Sequence, residues 1–233
     1  MASEATVGGI LSELAALVGD AARDVALYVL VIGGLAAVGV VLGLTETATM
    51  AFSFGFQVNA TDGAVKSLFD LASAVAGIYG GYWLLTRLLA ARGRYDGSGR
   101  FWAYFGLVIL SFLGIGLGLL FVVVPGLILL VRWSAASGYL IGSGQSVMEA
   151  LDSSWRATRG LGWVIFGAGL ILLVAISICS SALGAIFALL GTMVTGIASA
   201  FIEAAAGAAF MAFGIAVYCS VDESRAALEE VFA

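Results

Sequence analysis

The chain has 233 residues, of which 62% are hydrophobic and only 11% charged, whereas a soluble domain is about 45–50% apolar and about 25% charged. A water-soluble globule is thereby excluded. With no histidine, the chain also lacks the side chain that most often serves as catalytic base or metal ligand, and a formal charge of -5 with few Lys and Arg argues against a nucleic-acid partner.

The N-terminal segment 1–24 predicts an amphipathic helix. Val7, Ile10, Leu11, Leu14, Leu17, Val18 and Ala21 recur at helical spacing, with Glu13, Asp20 and Asp24 among the polar positions. Helices that lie on a membrane surface usually carry Lys or Arg on the polar face; an acidic face points equally to docking on the protein or on a partner. A basic region does not precede the apolar stretch, so a cleavable signal peptide is not expected.

Uncharged runs of about 18 or more residues mark spanning helices, because about 20 residues cross a hydrocarbon core of about 30 Å. The runs place a six-helix transmembrane domain over 25–220, with spans at about 25–44, 66–89, 101–122, 125–141, 161–190 and 194–218. Pro125-Gly126 divides the third from the fourth, and Gly191-Thr192 is the expected turn between the fifth and sixth. The loop from Thr45 to Val65, with Phe52, Phe54 and Phe56, reads as an interfacial anchor. The expected fold class is all-α: a polytopic membrane protein with short amphipathic interfacial helices.

Arginine placement sets the orientation. Arg23, Arg87, Arg92, Arg94, Arg100, Arg156, Arg159 and Arg225 fall on one side of a six-span arrangement, and Lys66 alone on the other. Short cytoplasmic loops hold the excess of basic residues, which predicts an inner-membrane protein with both termini cytoplasmic. In the connector Ala90 to Arg100, Arg92, Arg94 and Arg100 either set topology or contact anionic lipid headgroups.

Ser146 and Glu149 form an SxxE capping box that starts an interfacial helix over 146–159. Val147, Met148, Leu151 and Trp155 share one stripe; Glu149, Asp152, Arg156 and Arg159 lie elsewhere, and Asp152 to Arg156 has the favourable i,i+4 order. The succession VVVPGLILLVRWSAAS followed by SVMEALDSSWRATRGLGWVIFG resembles the membrane domain attached to some glycerophosphodiester phosphodiesterases and shared with uncharacterised bacterial multi-span families. Pro125, Gly126, Arg132, Trp133, Glu149, Ala150, Leu151, Ser154, Trp155, Thr158 and Gly160 carry the resemblance, which covers about 119–167. It implies a six-helix membrane module and does not imply hydrolase activity.

Arg132 and Glu203 stand at similar depths, about 10 Å and about 13 Å from the outer ends of their helices. Because an isolated intramembrane charge is expensive, the two are expected to pair across the fourth and sixth spans, as an interhelical clasp or as part of a solute path. Small residues four apart allow close helix approach: Gly39 and Gly43, Gly77 and Gly81, Gly114 and Gly118, Gly138 and Gly142, and a row of Ala200, Ala204, Ala208, Ala212 and Ala216 that offers a dimer face. Cys179 and Cys219 are far apart in apolar stretches and read as packing residues. No dinucleotide, nucleophile-elbow or Walker pattern occurs, so no catalytic, cofactor or metal site is expected.

These readings converge on a non-enzymatic membrane protein that organises lipids or partner membrane proteins, with a homo-oligomer or a membrane-protein partner expected. A small transporter or channel built on Arg132 and Glu203 is the alternative. A lipid-modifying enzyme using Glu149, Asp152, Arg156 and Arg159 to hold a phosphate comes last. The tail over 221–233 is acidic and expected to be solvated or to dock as a helix.

Overall fold

A computed structural model describes residues 6–44, 63–95, 97–121 and 123–232, with no side-chain description at 121 or beyond 222. The Phe-containing loop therefore lies outside the described residues. Every regular element among those described is helical: α1 Val7–Asp20, α2 Ala22–Val41, α3 Ala64–Ala91, α4 Phe101–Phe121, α5 Val123–Arg132, α6 Ala136–Ile141, α7 Val147–Ala157, α8 Gly162–Ala188 and α9 Thr192–Phe232. The protein is an all-α, multi-pass membrane protein, with six stretches long and apolar enough to cross a bilayer: Ala22–Val41, Ala64–Ala91, Phe101–Leu120, Val123–Ile141, Gly162–Ala188 and Thr192–Asp222.

The expected boundaries hold within a few residues, with two corrections. The fourth stretch is not one helix: α5 stops at Arg132 and α6 resumes at Ala136. Likewise, the tail is no separate segment, because α9 continues as helix to Phe232. Pro125 falls inside the first turn of α5, where an amide N–H has no intrahelical acceptor and its absence is harmless. At the other expected turn, Gly191 adopts φ +103°, a conformation that side-chain-bearing residues rarely enter.

Internal contacts divide the chain into two compact units. One comprises Met1–Ala22, Tyr82–Leu172 and Ala209–Ala233. Its core is formed by Ile10 and Leu17 of α1, Leu84, Leu88 and Leu89 of α3, Leu140 and Ile141 of α6, and Ile215 and Val217 of α9, all fully buried. The α1 stripe thus docks on the protein, as its acidic polar face allowed. Its N-cap is Thr6, whose hydroxyl accepts from the Gly9 amide at 3.0 Å.

The second unit comprises Arg23–Gly81 and Leu173–Ala208. Helices approach closely at Gly33, where an added Cβ would lie 2.6 Å from the Phe201 ring, and at Gly80, 3.0 Å from Ile32. These are not the four-spaced pairs expected there: Gly77 faces open space, and Gly43 ends α2 with φ +66°. The alanine row of α9 is buried along its whole length within the chain. It serves internal helix packing and does not offer a face to a second copy.

Candidate functional site

Arg132, Trp133, Ser154, Trp155 and Thr158 meet at the break after Arg132, inside the first unit. The last residue of α5 leaves a carbonyl without an intrahelical donor. The Ser154 hydroxyl donates to that Arg132 carbonyl at 2.7 Å, and the Thr158 hydroxyl reaches it at 3.5 Å while donating to Ser154 O at 2.8 Å. Both hydroxyl residues are fully buried. Their spacing of four places them on one face of α7, so a single helix face closes the end of α5.

Trp155, on the neighbouring face, lies under the Arg132 guanidinium, with Cζ 5.5 Å from the ring centroid. Trp133, the first residue of the break, fills the notch at Gly114 of α4, where an added Cβ would fall 2.6 Å from the indole. Along the same hairpin, a Cβ on Gly118 would lie 2.8 Å from the Gly126 Cα, and one on Gly126 would lie 2.6 Å from the Leu119 amide nitrogen. The Gly114/Gly118 pair and the Pro-Gly break thus let α4 and α5 pack backbone to backbone. From α9, Gly214 brings its backbone up to the Ser134 carbonyl.

The α7 cap is formed as its sequence implies: Glu149 accepts from the Ser146 amide at 2.9 Å and from its hydroxyl at 2.8 Å. The amide and then the hydroxyl of Ser146 hold the Glu149 carboxyl below the ordinary carboxylate value of 4.5. Asp152 pairs with Arg156 along the helix. With Arg159 and Glu149, both members of that pair are exposed.

The connector arginines are engaged by protein groups. Arg92 donates to Glu13 at 2.7 Å and to Asp20 at 2.6 Å, tying the loop to α1. The bond to Asp20, and next that to Glu13, raises its pKa above the ordinary arginine value. Arg94 bonds Asp222 and lies 5.4 Å over the Tyr218 ring; burial works against its charge, but the hydrogen bonds it donates to Asp222 and Tyr218 outweigh it and raise the pKa. Arg100 donates to the Gln145 carbonyl at 3.2 Å, and its amide to the Tyr82 hydroxyl at 2.8 Å.

Tyr218 joins this cluster to the broken span. It packs edge-on against Tyr139 at 4.9 Å, meets Ser143 Oγ at 3.0 Å, and occupies the space above Gly138. No sequence motif announced Tyr218. The available signal was the complementarity between two connector arginines, Arg92 and Arg94, and the acidic residues Glu13 and Asp20 of α1 and Asp222 of α9.

Arg132 and Glu203 fall in different units. The Arg132 Nη1 is buried without a hydrogen-bond partner, and Glu203 is exposed on α9. Within its own unit neither makes an ion pair with a described residue; the Arg132 guanidinium lies over Trp155.

Fold and site together define a polytopic helical membrane protein whose polar residues close a broken helix. No family model, no curated protein and no solved structure matches the chain.

Proposed function

We propose that the chain is a non-enzymatic membrane protein of the inner membrane, organising lipid or a partner membrane protein, with its arginine-bearing loops and both termini cytoplasmic. The observation that carries this reading is where the polar chemistry goes. Ser154, Thr158 and Trp155 act on Arg132, and Arg92 and Arg94 act on Glu13, Asp20 and Asp222. What faces outward is apolar helix surface, with the short charged helix α7 beside it. The resemblance over 119–167 supports a shared membrane module, because Arg132, Trp133, Ser154, Trp155 and Thr158, which are among its residues, build the break.

Native mass spectrometry of protein extracted in nanodiscs tests the reading. One lipid class or one protein partner should be enriched over the bulk membrane. Retained lipid of bulk composition, with no co-extracted protein, overturns it.

One observation favours the alternative of a small transporter or channel: the buried Arg132 Nη1 without a hydrogen bond, beside a discontinuous helix. That reading requires anion flux into proteoliposomes that Arg132→Gln abolishes.

A further inference from the structure

We infer that the α4–α5 hairpin is re-entrant: it dips into the leaflet on the α7 side, turns among the acyl chains, and leaves on the side it entered. Length and apolarity qualify Val123–Ile141 as a span, but its two halves have different surroundings. The α5 half is lipid-like in exposure, with Val123 60% and Val124 61% exposed. By contrast, α6 is buried in protein, Leu140 and Ile141 completely. Only α5 has a surface for acyl chains.

The level of the break fixes how deep α5 reaches. The Arg132 carbonyl is bonded by Ser154 and approached by Thr158, and Thr158 lies four residues before the start of α8 at Gly162. Around it stand the exposed charges of Asp152, Arg156 and Arg159, and Trp163, 86% exposed, marks headgroup depth at the foot of α8. From that level α5 has ten residues before its turn, about 14 Å along its axis, against a hydrocarbon core of about 30 Å. Along the other leg, Trp133 sits against Gly114, and α4 runs about 10 Å beyond that level to its end at Phe121. Tilt shortens the reach. By comparison, α8 runs 27 residues from the same level, about 40 Å. Were the hairpin tip at the far interface, the exposed charges of α7 would lie near mid-bilayer, where such groups are excluded unless paired or hydrated. Along both legs the backbone bonds are internal, and Pro125 removes one of the amides that the first turn of α5 would otherwise leave free.

A re-entrant hairpin leaves the parity of crossings unchanged, so the termini still share a side. The inference does not depend on the organiser reading, and its test reads depth, not lipid enrichment. Single cysteines are placed at the tip, Leu120→Cys and, separately, Val124→Cys, and at the α8–α9 turn, Leu190→Cys, with Cys179→Ala throughout. Each is probed with a membrane-impermeant maleimide in spheroplasts and in inverted vesicles, and a nitroxide at the same position is read for oxygen against nickel-chelate accessibility in proteoliposomes. The expected result is labelling of Leu190→Cys from the outer face, no labelling of either tip cysteine from either face, and the greatest depth at the tip. Tip labelling from the Leu190→Cys face, or a shallow nitroxide at both tip positions, overturns the inference. Two tip positions keep the test open if one variant misfolds.

Discussion

At the residue scale, the break after Arg132 concentrates buried groups that have no slack. Ser154 is completely buried and its hydroxyl donates to the Arg132 carbonyl, so Ser154→Ala removes the main donor to an otherwise unpaired helix end. Leaving such an acceptor unsatisfied costs about 1–3 kcal/mol, and the thermal midpoint in detergent should fall; because Thr158 shares the acceptor and partly satisfies it when Ser154 is gone, a Ser154→Ala, Thr158→Val double variant should lose more than the sum of the two single variants. Strict additivity would show that the two hydroxyls do not share it. Glycine gives a cleaner contrast along α4. An added methyl at Gly118 meets the Gly126 backbone at 2.8 Å, whereas at Gly116 it meets nothing within 4 Å. Gly118→Ala should therefore destabilise by about 1–3 kcal/mol while Gly116→Ala is neutral, as read by chemical denaturation in mixed micelles. Equal effects would mean that α4 does not pack on α5 at this point.

Elements were largely legible because hydropathy and length decide spans, and both are local properties. Five of the six apolar runs became continuous helix within a few residues, and the Ser146/Glu149 box started α7 where its spacing said. The break at 133–135 was hidden, since Arg-Trp-Ser-Ala-Ala has no proline or glycine and nothing local ends α5 there. Tertiary contacts stop it instead, through Ser154 on the Arg132 carbonyl and Trp133 in the Gly114 notch. The docking of α1 was half legible: its stripe was plain, but its acceptor, the connector arginine Arg92, lies 79 and 72 positions from Glu13 and Asp20. The Arg92 side chain is 20% exposed and Asp20 59%, so solvent screens much of the pairing. Arg92→Gln is expected to loosen α1 by about 1 kcal/mol, seen as faster amide exchange over α1 and weakened further by salt in the wild type. For α7, the sign of the pH effect follows from Glu149, whose folded pKa lies below its ordinary 4.5. A depressed carboxylate contributes stability that is complete above the unfolded value and is lost as pH falls through the folded one. Acidification below about 4.5 should therefore fray the start of α7, and a Glu149→Gln variant should not show that acid step.

For the whole molecule, arginine asymmetry is the property the sequence displays most openly and a static fold displays least. Eight arginines fall on one side of the crossing pattern and a lone lysine on the other, and short-loop basic residues are retained in the cytoplasm during insertion. Two of those arginines, Arg92 and Arg94, also hold ion pairs in the folded chain, so orientation and stability draw on the same side chains. The two roles separate by experiment. Replacing both with glutamine removes the ties to α1 and to Asp222 but leaves Arg87, Arg100, Arg156 and Arg159 to direct insertion. Reporter fusions at either terminus of that variant should still read cytoplasmic, while its thermal midpoint drops below that of the wild type. A reporter at one terminus reading the opposite face, in the variant or in the wild type, would show that the crossing number is odd and the proposed orientation wrong.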